Sequence, residues 1–511
     1  MNKLFDRNTA SEGHARKSLH GGAFSLVARG INAVVQIGSV LCLARLLSPE
    51  DYGLVAMVIA VTGFAPVLVD LGTRDAVVQR ESISQGEVSA LFWITMLVGC
   101  VFTVGVGASG PLVAHFYGEP RLSAITRVSA LAFVASALAC QHQALMRRAM
   151  MFRNLAVIEV VSNVLGSLAA ILFAWRGHGY WALVLRPITT SFILAVGVWL
   201  GCRWWPSLPR FSTGVKDMIK FGLNLTGFCM TDFVARCSDR VALGHRSGPG
   251  QLGYYQQACL VYDNLLDLTV ALHGVAVVSL SKLRDNLDEL RRLWAKGLST
   301  LAFYAMPAFG VLVVTSQDLI VFLLGDKWAQ AGVVLSVLAL RGIPHVVERT
   351  LGWLHVAAGR ADRWFRWGIV ATVLQLIALF CGLPYGPTGV AAAYAICMFI
   401  LFIPAIAYAG QPLGIGFKHV VKAVGWQVVG ALLAVALGFE LRLLLSEQMP
   451  RLLRLVLLGS AYAAIYLLLV AGIFKVRAPL ALTVSLLRDV APARLLAALS
   501  LRLQRGPKKT S

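Results

Sequence analysis

Polar and charged side chains recur at helical spacing inside apolar segments of the chain. In segment 19–43, Arg29, Asn32 and Gln36 follow one another at intervals of three and four residues, which places them on one face of a helix. An arginine guanidinium binds phosphate oxygens through a planar fork of donors and stays charged at physiological pH. The pattern therefore predicts a helix face that binds an anion.

Two further apolar segments carry arginines at helical spacing. Arg236 and Arg240 are four residues apart in one segment, and Arg341 and Arg349 are eight apart in another. A charged side chain at the centre of a bilayer costs about 2.5–3.5 kcal/mol on insertion scales, so such residues are functional candidates by default. We predict that these arginines and Arg29 line a polar cavity that holds an anionic cargo.

Acidic residues and a histidine share these segments. Asp263 and Asp267 lie four residues apart, while His345 and Glu348 stand between the two arginines of their segment. Carboxylates and imidazoles exchange protons, which makes these four residues candidate ion-coupling groups. The alternative is that the acids pair with neighbouring arginines and only hold helices together.

The composition disfavours a soluble two-domain enzyme and excludes a disordered protein. Of the 511 residues, 58% are hydrophobic and 14% are charged, and the mean hydropathy is +0.72. Soluble domains average roughly 45–50% apolar and about 25% charged residues. The net charge of +21 does not indicate nucleic acid, because the basic residues lie mostly in short connections between apolar segments, as in membrane proteins.

Motifs for cofactors and metals are missing from the sequence. The nine cysteines are scattered without a C-x-x-C pair, so neither a disulfide framework nor a metal site is predicted. The chain has no G-x-x-x-x-G-K-[ST] loop for ATP, and neither H-E-x-x-H nor G-x-S-x-G. We therefore predict a protein that is not an enzyme and binds no cofactor.

Apolar segments of membrane-spanning length predict an all-α, polytopic membrane protein, because a helix crosses a hydrocarbon core of ~30 Å with about 20 residues. Two six-helix lobes, 19–201 and 218–409, surround a central cavity and precede two additional helices in 419–474. A cytoplasmic segment, 1–18, and a basic cytoplasmic tail, 475–511, flank them. The fourteen predicted spans are 19–43, 53–72, 88–114, 122–145, 155–175, 179–201, 218–243, 252–281, 297–324, 328–357, 364–383, 388–409, 419–439 and 453–474.

The distribution of Lys and Arg predicts the orientation of these spans. Basic residues concentrate in the connections on the side of the N-terminus, the segment 147–153 among them, which places both termini in the cytoplasm. A weak repeat at an offset of 200 residues matches Pro49 and Gly53 with Pro249 and Gly253. Repeated halves are a common plan of transporters, and they favour the two lobes.

Seven short segments, in order between about residues 20 and 395, carry a resemblance to a known family. They are 43–53, 70–80, 147–153, 177–184, 252–255, 324–328 and 386–391. On these segments the chain resembles the polysaccharide transporter flippases of the multidrug/oligosaccharidyl-lipid/polysaccharide exporter superfamily, which serve lipopolysaccharide O-antigen and exopolysaccharide synthesis.

The resemblance implies a cargo, a location and a mechanism. The cargo is an oligosaccharide linked to undecaprenyl pyrophosphate, which moves from the cytoplasmic to the periplasmic leaflet of the bacterial inner membrane by alternating access. Related flippases bind the pyrophosphate with cationic residues of spans 1 and 7, which implies this role for Arg29, Arg236 and Arg240. Membrane lipids surround the chain, and a polysaccharide polymerase and export machinery are candidate partners.

Three alternatives to this function differ in class. One is an ion-coupled drug or metabolite antiporter of the same superfamily. The second is a polysaccharide polymerase or ligase, which the short predicted external connections disfavour, because they leave no room for a catalytic domain. The third is an assembly scaffold that recruits partners through the tail 475–511.

Overall fold

The computed structural model describes residues 13–80, 82–209, 213–267, 273–284, 286–446, 448–476 and 478–480. These residues form eighteen α-helices and contain no β-strand, which confirms the predicted all-α class. The helices are α1 Gly13–Leu46, α2 Pro49–Thr62, α3 Ala65–Asp70, α4 Thr73–Gln79, α5 Gln85–Ala108, α6 Gly110–Tyr117, α7 Arg121–Ser129, α8 Leu131–Arg148, α9 Phe152–Trp175, α10 Trp181–Cys202, α11 Thr213–Asp267, α12 His273–Ser281, α13 Leu287–Leu324, α14 Ala329–Ala357, α15 Ala361–Gly382, α16 Gly386–Gly410, α17 Phe417–Leu444 and α18 Arg451–Leu467.

Ten helical segments of the described residues are long and apolar enough to cross a membrane. One of them, Asp362–Leu413, has 52 residues. This length suffices for two crossings of about 20 residues each, and the segment contains the predicted spans 364–383 and 388–409. Helix α17 covers the predicted span 419–439, and α18 together with the π-helical turn Leu468–Ile473 covers nearly all of the predicted span 453–474.

The number of fourteen spans stays a prediction, because four predicted spans are each divided between two α-helices. The predicted spans 88–114 and 122–145 are divided between α5 and α6 and between α7 and α8. The predicted span 53–72 is interrupted at residues 63–64, where α2 ends and α3 begins. The predicted span 252–281 is divided between α11 and α12, and residues 268–272 lie outside the described part of the chain. The basic tail from residue 481 onward also lies outside it.

Side-chain caps fix where α2 and α5 begin. Ser48 and Asp51 form a capping box at the start of α2, with the Asp51 carboxylate accepting from the Ser48 N–H at 2.8 Å. Ser84 and Glu87 form the same arrangement at α5. Pro49 occupies the first turn of α2, where its missing N–H costs nothing. The helix starts therefore follow from local sequence.

Prolines interrupt several of the long helices. A proline inside a helix removes one backbone hydrogen bond and bends the helix at that point. Gly248, with φ of 79°, joins the two halves of α11 at a kink. The internal prolines are Pro187 in α10, Pro249 in α11, Pro307 in α13, Pro344 in α14 and Pro404 in α16.

The chain divides into two compact units. The first unit consists of Met1–Gln257, Ile320–Ala331 and Leu379–Val390. The second unit consists of Ala258–Leu319, Gly332–Ala378 and Ala391–Ser511.

Aromatic packing holds the core of the first unit. The His142 ring stacks on Trp199 with centroids 4.4 Å apart. Its Nε2 lies 3.1 Å from the carbonyl oxygen of Trp204, which accepts the ring proton. Trp199 and Trp204 pack in one apolar cluster with Phe92, whose ring also meets the His142 ring edge-on. This histidine therefore has a structural role.

Buried polar contacts tie helices of the second unit together. The Arg454 and Asp318 side chains, 12% and 11% exposed, form an ion pair at 3.5 Å between α18 and α13. Tyr466 donates a hydrogen bond from α18 to the carbonyl oxygen of Phe303 in α13. Removing one partner of such a buried pair would leave an uncompensated charge, so the additional C-terminal helix is firmly attached.

The two copies of the Pro-x-x-x-Gly repeat meet within the first unit. A Cβ atom added to Gly53 would clash with the carbonyl oxygen of Pro249, and one added to Gly253 would clash with that of Pro49. The contact is reciprocal, and only glycine allows so close an approach of two backbones.

Alanine at these glycines tests the contact. We expect Gly53→Ala and Gly253→Ala each to cost about 1–3 kcal/mol, because the added methyl group forces the turns apart. The expected readout is a lower unfolding temperature of the purified protein in detergent. Gly250→Ala is the matched control, because no atom lies within 4 Å of its added Cβ. Equal unfolding temperatures for all three variants would contradict the contact.

Candidate functional site

A polar cavity of about 300 Å³ lies in the first unit, where α1, α8 and α9 pack together. Its volume is at the lower end of the ~300–1,000 Å³ typical of small-ligand sites. The lining residues are Ala28, Arg29, Asn32, Arg147, Phe152, Leu155, Ala156 and Glu159. The cavity thus contains two of the residues predicted to bind cargo.

The cavity carries a net positive charge. Arg29 from α1 and Arg147 from the end of α8 face it, and Glu159 from α9 is the acidic group among its lining residues. Arg29 forms no ion pair with any described residue. Asn32 accepts a hydrogen bond from the Asn163 amide at 3.0 Å, which fixes the polar face of α1 against α9. Two guanidinium groups beside one carboxylate can bind a phosphate-type anion.

Arg147 is a cavity residue that sequence reasoning missed. The sequence predicts a topological role for the arginines of 147–153 and an attraction to anionic lipid headgroups, but the three arginines make different contacts in the structure. Arg148 donates to the carbonyl oxygen of Val77 at 2.9 Å and so supports α4. The Arg153 guanidinium lies 5.9 Å from the ring centroid of Phe24. Arg147 differs from Arg148 and Arg153 in the direction in which its side chain points. That direction depends on tertiary packing, which the sequence does not reveal.

A second set of polar contacts surrounds the C-terminal end of α1, about 25 Å along this helix from Arg29 at 1.5 Å per residue. The Arg45 side chain donates to the carbonyl oxygens of Phe322 at 2.8 Å and Leu323 at 3.1 Å. These carbonyls belong to the last turn of α13 and have no partner inside the helix. Arg45 therefore caps α13.

The reverse contact caps α1. Trp328 Nε1 donates to the carbonyl oxygen of Ala44 at 2.8 Å, and the Lys327 ammonium group donates to the next carbonyl at 2.9 Å. The Trp328 ring also meets Tyr52 and Tyr254 edge-on, with centroids 5.3 and 6.2 Å away. We call Arg45, Lys327, Trp328 and the two tyrosines the capping cluster. Three segments that carry the family resemblance, 43–53, 252–255 and 324–328, meet in it.

An exposed ion-pair group lies at the start of α7. Arg121 Nε is 2.8 Å from a carboxylate oxygen of Glu119, and the same guanidinium group also pairs with Glu50 of α2. The hydrogen bonds from Arg121 lower the pKa of Glu119. These side chains are partly solvated, so the pairs contribute little stability.

A cluster of titratable groups lies in the second unit. Tyr262 Oη of α11 is 2.8 Å from His345 Nδ1 of α14. The other ring nitrogen, Nε2, is 3.6 Å from a Glu348 carboxylate oxygen. We call these three residues the histidine cluster. Two of the four predicted ion-coupling residues are thus in direct contact.

The two arginines predicted on α14 have partners on different helices. Arg349 forms an ion pair with Asp267 at 3.8 Å, and the Arg341 guanidinium carbon lies 5.3 Å from the ring centroid of Tyr394 in α16. Asp263 and Asp267 are exposed. Pairing therefore holds for Arg349, as the alternative drawn from the sequence expects.

Of the remaining predicted cargo residues, those whose side chains the structure describes do not line the cavity. Gln36 is exposed on α1. Arg240 lies beside Asp239, whose carboxylate accepts from the Tyr255 hydroxyl at 2.8 Å. The side chain of Arg236 lies outside the described part of the structure. Among the described residues, no group of three His, Cys, Asp or Glu side chains is placed to hold a metal ion.

Comparison with known proteins gives consistent matches over most of the chain. A family model described as "Polysaccharide biosynthesis protein" matches residues 42–332. The teichuronic acid biosynthesis protein TuaB of Bacillus subtilis (strain 168) is 27% identical over 466 residues, which cover 88% of this chain and 96% of that protein. The lipopolysaccharide biosynthesis protein WzxC of Escherichia coli (strain K12) is 24% identical over 442 residues, covering 85% and 89%.

A solved structure shares the fold. The lipid II flippase MurJ, in an inward closed conformation, superposes with a TM-score of 0.70 at 14% identity, and the match covers 88% of this chain and 98% of that one. At this identity the likeness concerns the fold alone, and it agrees with the polytopic, all-helical architecture.

The charge of the cavity predicts that it binds a phosphate-type anion. We expect the double variant Arg29→Gln/Arg147→Gln to bind inorganic pyrophosphate at least about tenfold more weakly, because each charged hydrogen bond contributes about 1.5–3 kcal/mol. Isothermal titration of the protein in lipid nanodiscs measures the affinity. Arg127→Gln, an exposed arginine of α7, serves as the control. Equal affinities for the double variant and the control would contradict the site.

Proposed function

Because this chain belongs to the polysaccharide biosynthesis protein family, as its resemblance to polysaccharide transporter flippases predicts, we propose that it moves a lipid-linked oligosaccharide across the bacterial inner membrane. The cargo is an oligosaccharide on undecaprenyl pyrophosphate, carried from the cytoplasmic to the periplasmic leaflet by alternating access. The observation that supports this function most is the cavity with Arg29 and Arg147 on membrane-spanning helices.

The physical problem that such a protein solves is the charge of the headgroup. A pyrophosphate carries several hydrated charges, and hydrocarbon offers no water or hydrogen bonds to replace the hydration shell. A polar, water-filled cavity with guanidinium groups supplies both. The lipid tail needs no such protection and remains among the acyl chains of the bilayer while the headgroup moves.

We assign a role in cargo binding to the main residues that line the cavity. Arg29 and Arg147 bind the pyrophosphate oxygens, and Asn32 adds a neutral hydrogen-bonding group. Glu159 reduces the net charge of the site and so keeps the cargo from binding too tightly to leave. Phe152, at the start of α9, provides an apolar edge of the cavity for the first part of the lipid.

The other predicted cargo residues belong to later steps in this proposal. Gln36 lies further along α1, and Arg236 with Arg240 lies on α11, so they would contact the cargo after it has left the first cavity. Arg341 and Arg349 are on α14 of the second unit. Their partners must release them before they bind an anion, since Arg349 is paired with Asp267.

The orientation proposed for the chain gives the capping cluster a role. Both termini are cytoplasmic in this proposal, so α1 begins inside and its end at Leu46 faces the periplasm. Arg45, Lys327 and Trp328 then hold the periplasmic ends of α1 and α13 together. Alternating access requires these hydrogen bonds to break when the cargo leaves.

The remaining features of the proposal concern organisation and energy. The halves 19–201 and 218–409 are the two moving lobes, and an ion gradient or the membrane potential drives the cycle. The proposal includes no catalytic step. A polysaccharide polymerase and the export machinery would receive the cargo at the periplasmic face.

A complementation experiment tests the function. A strain deleted for this gene should accumulate lipid-linked oligosaccharide that external, membrane-impermeant glycosidase cannot reach in spheroplasts. The unaltered gene should restore access, whereas Arg29→Ala/Arg147→Ala should restore less than about a tenth of it, because two charged hydrogen bonds are lost. Arg127→Ala should restore access fully. A deletion strain with unchanged surface polysaccharide but altered resistance to drugs would instead favour the antiporter.

Reporter fusions test the proposed orientation. Alkaline phosphatase, which is active only in the periplasm, should be active when fused after Gly118 and inactive when fused after Met150, since one membrane-length segment, Arg121–Arg148, separates these positions. A fluorescent protein fused after Ser511 should fluoresce, because the C-terminus remains in the cytoplasm. The reverse pattern of phosphatase activity would contradict the orientation.

A further inference from the structure

We propose that the histidine cluster of the second unit is a proton-binding site that couples the transport cycle to proton movement. This inference rests on the proposed function, since coupling needs a transport cycle to drive. The ligand is a single proton, shared by His345 and Glu348. Its binding changes the hydrogen bond between His345 and Tyr262 of α11.

Both nitrogens of the His345 ring have partners of opposite kinds. The ring lies 6.1 Å from the Tyr262 ring, centroid to centroid, at an angle of 27°. Without the added proton, the Tyr262 hydroxyl donates to Nδ1, and Nε2–H faces the Glu348 carboxylate. With the proton, Glu348 is a neutral carboxylic acid whose O–H faces Nε2, and Nδ1–H donates to the tyrosine oxygen. The two arrangements differ by one proton, taken from water and returned to it.

The charges around the cluster make it sensitive to this proton. Arg341 and Arg349, on the same helix as Glu348, both attract its carboxylate electrostatically. From α11, Asp267 pairs with Arg349, and Asp263 lies next to the tyrosine of the cluster. Within the described part of the chain, two guanidinium groups therefore stand beside three carboxylates, and one added proton brings the net charge of this set to zero. In a low-dielectric environment this change is large.

Neighbouring groups on other helices complete the surroundings. Tyr394 of α16 lies under the Arg341 guanidinium, and Cys259 of α11 and Phe309 of α13 lie beside Tyr262. Neither thiol nor phenol changes charge near neutral pH in its ordinary form. The proton therefore belongs to the histidine–glutamate pair, which titrates as one coupled system.

The position of the cluster connects the proton to helix movement. Pro344 precedes His345 inside α14, and proline removes the backbone hydrogen bond that would stiffen the helix there. The same stretch of α14 contacts α11 twice, through Tyr262 and through the Arg349–Asp267 pair. A neutral Glu348 no longer attracts Arg349, so the Arg349–Asp267 contact to α11 changes close to the point where α14 bends.

A static network is the competing explanation, and α14 provides a control for it. His355 is a buried histidine ten residues further along the same helix, with its ring stacked against Trp364 at 6.4 Å. It forms no ion pair with any described residue. Replacing His355 by Gln therefore perturbs the helix in a similar way without removing a proton shared with a carboxylate.

Isothermal titration of the full-length protein with undecaprenyl pyrophosphate tests the proposal. Repeating the titration in buffers of different ionisation enthalpy gives the number of protons exchanged on binding. We expect the wild type to exchange about one proton more per chain than Glu348→Gln, because a coupled pair takes up or releases a single proton. His345→Gln should match Glu348→Gln, and His355→Gln should match the wild type. Glu348→Asp should keep part of the exchange.

The outcomes separate the two proposals. If the wild type binds undecaprenyl pyrophosphate and Glu348→Gln exchanges as many protons as the wild type does, the proton site is wrong and the proposed function stands. If the wild type does not bind this lipid at all, the proposed function fails, and the coupling inference fails with it. Loss of proton exchange in His355→Gln would also overturn the inference, since the effect would then come from a general disturbance of α14.

Discussion

The absence of water from the hydrocarbon core constrains this chain more than any other factor. A charged side chain or a free backbone carbonyl in that environment loses several kcal/mol unless a partner or a water-filled space replaces its hydration. The described arginines follow this rule in three ways. Arg45 and Arg148 satisfy carbonyl groups, Arg454 pairs with a carboxylate, and Arg29 faces a polar cavity.

These three environments distinguish arginines with a structural role from arginines that are placed to bind a ligand. An arginine that caps carbonyls or pairs inside a helix bundle uses its hydrogen-bond donors within the folded chain, and its removal destabilises the protein. An arginine that faces a cavity stabilises nothing that the folded chain itself contains, and so it is available for a ligand. Arg147 and Arg148 are adjacent in sequence and represent the two cases.

Local sequence predicted the helical class and the polar face of α1 with Arg29 and Asn32, but not the capped start of α2 at Ser48, since the predicted span began at residue 53. Each predicted feature depends on residues within a few turns of one another. The sequence could not predict that Arg147 joins that face, because this depends on how α8 and α9 pack against α1. It also could not decide between cargo binding and pairing for Arg349, whose partner lies 82 positions away along the chain, at Asp267.

The reciprocal contact between the two turns restricts how the chain can evolve. Each glycine, Gly53 or Gly253, is held against the backbone of the other copy and not against a side chain. A substitution in one copy therefore has no compensating substitution in the other, since no exchange of side chains moves a carbonyl oxygen. After a duplication, two such positions become fixed together, and an alignment of relatives would display invariance there without any covarying pair.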